Sequence, residues 1–183
     1  IERDFIPIGG YGTRNFVNAL KEACRRLYKG KDAASLLRRA EEIGFKLIRH
    51  PLDLRPGVPE IVRQLHEHYR LLVFSKGDYE EQFGKVRKSG LATYFEQVVI
   101  AGEKNRDAYI QIIEEHALRP EQTFMIGNSP KSDIIPALEA GLWAIFVPHP
   151  HTWEFEHHDL PQHPRLLLAD SIQDLPDLLA RAG

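Results

Sequence analysis

Three short stretches of this sequence carry side chains able to handle an anion or a hard cation. The first is Phe74-Ser75-Lys76-Gly77-Asp78. A hydroxyl followed by a glycine and a helix start makes a cradle in which the Ser75 hydroxyl and the backbone N–H groups at Lys76 and Gly77 can donate to phosphate oxygens. The second is Gly102-Glu103-Lys104, where a lysine can neutralise a carboxylate or a phosphate. The third is Gly127-Asn128-Ser129-Pro130-Lys131-Ser132-Asp133. Its Asn128 amide oxygen and Asp133 carboxylate are the oxygen donors that suit Mg2+. Each stretch also has a plain structural reading: a tight turn with Ser75 or Asp78 as a cap, a solvated surface lysine, and a turn in which Ser132 or Asp133 caps the next helix.

The elements that would position these residues follow from hydrophobic spacing. Residues 13–49 are helical in pattern, with Phe16, Leu20, Cys24 and Leu27 on one stripe. Leu36, Leu37, Ala40, Ile43 and Leu47 form a second stripe after Asp32, a candidate N-cap. Residues 1–12 read as a turn-rich entry, through Ile-Pro-Ile-Gly-Gly-Tyr-Gly. From residue 55 the pattern alternates. Helices are expected over 56–69, 79–89, 107–117, 132–140 and 172–182. Short apolar strands are expected over 70–75, 97–101, 123–126, 143–147 and 166–168. Apolar strands separated by helices imply a parallel sheet covered on both faces. In such sheets chemistry sits at the C-terminal strand ends, where the three stretches fall.

In that order and setting the stretches resemble the motifs of the haloacid dehalogenase superfamily. An apolar strand ending in a hydroxyl is matched by Leu71-Leu72-Val73-Phe74-Ser75, and a lysine ahead of a helix by Lys104-Asn105-Arg106-Asp107. Gly-Asp with a later Asp is matched by Gly127-Asn128 with Asp133. The resemblance covers residues 50–150 closely. It implies an α/β Rossmann-like parallel sheet with helices on both faces, plus a small all-helical cap. The expected division is a cap over 1–52 and an α/β core over 53–183. It further implies a phosphomonoester hydrolase acting on a small phosphorylated metabolite. In that enzyme Ser75 and Lys104 would be catalytic, Ser75, Lys76, Gly77 and Lys104 would bind phosphate, and Asn128 and Asp133 would hold Mg2+.

The sequence departs from the family pattern twice. The family's pair of aspartates at the end of the first strand, one a nucleophile and one an acid and base, is absent. Met125 is the only methionine and the chain opens at Ile1. A further N-terminal piece of roughly 40–60 residues, carrying that strand, is therefore expected from ordinary element lengths. Asn128 also stands where the family has an aspartate, which keeps an oxygen but removes a charge. Carbon–halogen cleavage by the same fold without a metal is one alternative. A binding module that kept the fold and lost the activity is another.

Composition narrows the field. The formal charge of −2 gives no basic field for nucleic acid. No apolar run approaches the roughly 20 residues of a membrane helix. The lone Cys24 suits a reducing compartment, and a cytoplasmic location is expected. Asp53 and Asp78 read as loop or cap residues. His149, His151, His157, His158 and His163, interleaved with prolines and acids, read as a polar surface loop.

Overall fold

In the computed structural model of the protein, residues 1–28, 30 and 32–182 are described, and they form eight α-helices and five β-strands. They divide into two compact units, each built from several stretches of chain. The elements are α1 (Glu2–Gly9), α2 (Thr13–Leu27), α3 (Ala33–Arg49), α4 (Val58–His66), β1 (Leu72–Lys76), α5 (Tyr79–Lys88), β2 (Gln97–Ala101), α6 (Arg106–Glu115), β3 (Phe124–Gly127), α7 (Ile135–Glu139), β4 (Trp143–Phe146), β5 (Leu166–Leu168) and α8 (Leu175–Ala182).

One unit contains residues 54–72, 94–97 and 103–183. At its centre β3, β4 and β5 lie side by side in that order, all parallel. Residues one apart on β4 point to opposite faces. Ile145 and Val147 face Ile61 and Leu65 of α4 and Leu175 and Leu179 of α8. Ala144 faces the other way, against Ile134 and Leu138. Helical chain therefore covers both faces of this sheet, as the continuous apolar strands predict. Phe124 and Trp143 are paired in register, and their rings stack 5.7 Å apart, the kind of cross-strand contact that fixes strand alignment.

The other unit contains residues 1–53, 73–93 and 98–102. Here α2 packs on α3 through small residues. Ala19 and Ala40 are buried, and a Cβ added to the buried Gly44 would run into Val17 Cγ2. The seam keeps Ala40 from the expected stripes and corrects three other members, since Leu27, Ile43 and Leu47 are exposed. Close approach of the two helix backbones needs small side chains at the contact, so the larger ones are displaced to the flanks. A second correction is α1, which forms where a turn was expected. Pro7 lies inside it, and the buried Asn15 amide donates to Phe5 O at 2.8 Å and Gly10 O at 2.7 Å, satisfying carbonyls near the helix end. Strand β1 pairs with β2. Among the described residues no helix is long and apolar enough to cross a membrane.

Candidate active site

In the first-described unit the loop after β3 is organised by one residue. Ser129 Oγ accepts from Ser132 N at 2.9 Å, and Ser129 O accepts from both Asp133 N (2.8 Å) and Ile134 N (3.1 Å). The chain over Pro130–Ile134 is thereby wound as a wide turn before α7 begins. Ser129 is thus the cap, in place of Ser132 or Asp133, because its side chain reaches forward to the third residue after it. Asp133 folds back over the loop. Its Oδ2 accepts from Ser129 N at 2.9 Å and its Oδ1 from Lys104 Nζ at 2.5 Å. Both partners of this ion pair are largely withdrawn from solvent, with side chains 5% and 12% exposed. The surface-lysine reading of Lys104 is therefore set aside.

Tyr109, on α6, closes the floor. Its hydroxyl donates to Ser132 O (3.0 Å) and Asp133 O (3.2 Å), and Lys104 Nζ lies 5.9 Å from its ring centre. Burial, and then the charge of Asp133, hold the phenol pKa well above its ordinary value. Because the folded pKa exceeds the unfolded one of about 10, the neutral phenol contributes its full stability below that pH and loses it as pH rises beyond. Tyr109→Phe should cost about 1–2 kcal/mol at neutral pH, from the loss of the one buried O–H donor shared by the two carbonyls. The variant should also lose the part of the alkaline decline in stability that Tyr109 causes. Denaturant midpoints at neutral and alkaline pH test this, and equal alkaline declines in the two proteins would refute it.

Asn128 presents its amide differently. Nδ2 donates to Thr152 Oγ1 at 2.8 Å, and Thr152 Oγ1 donates on to His149 O at 2.9 Å. That orientation leaves the Asn128 amide oxygen uncommitted among the described residues. Asp133 likewise keeps lone pairs beyond its two hydrogen bonds. One carboxylate and one amide oxygen fit Mg2+ in donor type, since this ion commonly takes few protein ligands and fills the rest of its shell with water and phosphate. Among the described residues no group of three His, Cys, Asp or Glu side chains forms a metal cluster.

In the other unit, Ser75 lies near the end of β1 and donates to Gln82 Oε1 over a long 3.4 Å. Gly77 has φ +135°, a backbone state few side chains tolerate, and its N–H donates to Ala101 O at 3.1 Å. That bond commits one of the N–H groups expected to meet phosphate. Asp78 caps α5, accepting from Glu81 N at 3.0 Å. Lys76 Nζ sits 4.2 Å from the centre of the Tyr11 ring. Gly12 lies so close that an added Cβ would meet Asp78 Cβ at 3.0 Å, and Thr13 N donates to Glu81 Oε2 at 2.9 Å. The glycine-rich turn is thus built against the Ser75–Asp78 loop.

A sequence profile described as haloacid dehalogenase-like hydrolase matches residues 2–141. The chain belongs to the haloacid dehalogenase-like hydrolase family. The chain is 25% identical over 169 residues to N-acylneuraminate-9-phosphatase of Rattus norvegicus, covering 87% of this chain and 65% of the relative. It is 32% identical over 116 residues to glyceraldehyde 3-phosphate phosphatase of Methanothermobacter thermautotrophicus, covering 61% of this chain and 51% of the relative. A crystal structure of a haloacid dehalogenase-like family hydrolase from Xanthomonas campestris superposes with a TM-score of 0.90 at 28% identity, over 100% of this chain and 73% of that one. The chain spans about two thirds of the first of these curated relatives and about half of the second.

One residue tied to the loop after β3 was not foreseen. Glu156 is buried, 7% exposed, and its Oε2 accepts from both Ser129 Oγ and Ser132 Oγ at 2.5 Å. It lies in the His- and acid-rich stretch read as surface loop, and nothing in its local spacing marks it.

Proposed function

We propose that the whole protein is a phosphomonoesterase that removes phosphate from a small phosphorylated metabolite in the cytoplasm. Catalysis would pass through an aspartyl-phosphate formed on an aspartate outside these 183 residues. The observation that carries this reading is the buried Lys104–Asp133 pair beside the Asn128 loop. An ammonium held in place with little water can stabilise the negative charge that builds on a phosphoryl group, without reorganising at the moment of reaction. Family membership and the two phosphatases among the relatives support the same reading.

In this proposal Lys104 holds the nucleophile and faces the developing charge, while the Ser75 hydroxyl donates to the phosphoryl oxygens. Lys76 and Gly77 belong to the same phosphate-binding stretch. Asn128 and Asp133 hold Mg2+ through their oxygens. The ion supplies a charge that offsets that of the phosphate. A second reading, carbon–halogen cleavage, is favoured by one feature: Asn128 is neutral, and its amide is tied to Thr152.

The decisive assay uses the full reading frame with an aryl phosphate, with and without Mg2+, beside halide release from a 2-haloacid. Magnesium-dependent phosphate release is expected. Asp133→Ala should lower it by about 100-fold or more, because Lys104 loses the partner that holds it in place. Halide release without metal would select the second reading. No turnover in either assay, with no upstream aspartate pair, would leave a binding module.

A further inference from the structure

The loop that presents Asn128 and Asp133 is held from outside by the segment that follows β4. Two independent tethers join them. Asn128 Nδ2 donates to Thr152 Oγ1, and Ser129 and Ser132 both donate their hydroxyls to Glu156 Oε2. Thr152 is fixed in turn by its bond to His149 O, and His157 Nε2 lies 3.1 Å from Thr152 O. A buried carboxylate is costly unless it is hydrogen-bonded, so Glu156 is held in place by the two hydroxyls as firmly as it holds them.

Glu156 also sets direction. A hydroxyl that donates to a carboxylate turns its lone pairs elsewhere. Ser129 Oγ, donating to Glu156, is thereby aimed to accept from Ser132 N, and that bond winds the turn. The same turn brings Ser129 N to Asp133 Oδ2 and leaves Asp133 Oδ1 for Lys104. Without Glu156 the two hydroxyls can rotate, and the Ser129 Oγ lone pair that accepts from Ser132 N is no longer held in that direction.

We propose that Glu156 is a positioning residue for the active site: through Ser129 and Ser132 it fixes the loop so that Asn128 and Asp133 face the reaction. The inference rests on the reading of that loop as part of the active site. It predicts a rate effect with little change in affinity. Glu156→Ala in the whole protein should lower kcat on an aryl phosphate by about 100-fold, as small displacements of catalytic groups do, with KM near the wild-type value. Glu156→Gln keeps a carbonyl oxygen able to accept both hydroxyls and should restore most of the rate. Hydrogen exchange supplies a readout independent of turnover. In Glu156→Ala the amides of Ser132, Asp133 and Ile134 should exchange faster while those of α8 stay protected. Should Glu156→Ala not fold, Ser132→Ala removes one donor alone and should show a smaller effect of the same kind. Wild-type kcat and loop protection in Glu156→Ala would overturn the proposal. So would equal losses in the Ala and Gln variants, or faster exchange throughout the chain. If the wild-type protein has no phosphatase turnover, the function reading falls, and the exchange comparison alone decides the role of Glu156.

Discussion

Lys104→Met should both unfold the protein earlier and stop its chemistry. The side chain removed is a buried cation paired with a buried carboxylate at 2.5 Å. Breaking such a pair from one side leaves a charge in a site that water reaches poorly, at a cost of about 3 kcal/mol or more. For a chain of this size that corresponds to a fall in Tm of about 6–12 °C. Turnover should fall by about 100–1,000-fold, the loss seen when one preorganised donor is taken from a developing anion. The two effects separate in the double variant. Lys104→Met with Asp133→Asn removes both charges and keeps an oxygen to accept from Ser129 N, so much of the lost stability should return. Turnover should not return, because the ammonium is still missing. Thermal unfolding and aryl phosphate kinetics on the wild type, both single variants and the double complete the cycle. A double variant no more stable than Lys104→Met would show that the pair is not what the lysine contributes.

The place of Lys104 was legible because a lysine three residues past the end of an apolar strand, ahead of a helix, stands at a predictable point of the fold. Strand β2 matches the run Gln97–Ala101, and β3 and β4 fall within a residue of the Thr123–Ile126 and Trp143–Val147 runs. These strands are read well because their apolar character is continuous along the chain. What escaped was set by contacts across it. Glu156 meets serines 24 and 27 residues upstream, and a glutamate among histidines carries no local trace of such a partner. Helix α1 was hidden by Pro7, Gly9 and Gly10, residues that read as a turn until Asn15 supplies donors to the carbonyls. Leu27, Ile43 and Leu47 have helical spacing, yet of the expected stripes only the small Ala40 joins Ala19 and Gly44 in the buried seam. Periodicity reports that a helix is amphipathic; side-chain size decides which line along it can come close to a neighbour.

Gly127→Ala should be nearly as damaging to turnover as the loss of Lys104, although it removes no functional group. Gly127 ends β3 with no positive φ, so backbone freedom is not the reason for glycine there. The reason is Asp133. A Cβ built on Gly127 would lie 2.6 Å from Asp133 Cβ and closer still to its carboxylate. The obstacle is not a flexible side-chain end that can swing away. Asp133 is clamped by Lys104 and Ser129 N, and its backbone N–H is bound to Ser129 O. Either the carboxylate leaves Lys104 or the strand end shifts. Overpacking of this kind costs about 1–3 kcal/mol, and a displacement near 1 Å at a reacting group lowers rate by about 100-fold. The variant should therefore fold, melt a few degrees lower, and turn over far more slowly. Gly102→Ala is the matching control, since a Cβ there meets nothing within 4 Å, and it should leave kcat near the wild-type value. Equal kcat in Gly127→Ala and Gly102→Ala would mean that Asp133 can move without consequence. The buried ion pair would then no longer support the proposed chemistry.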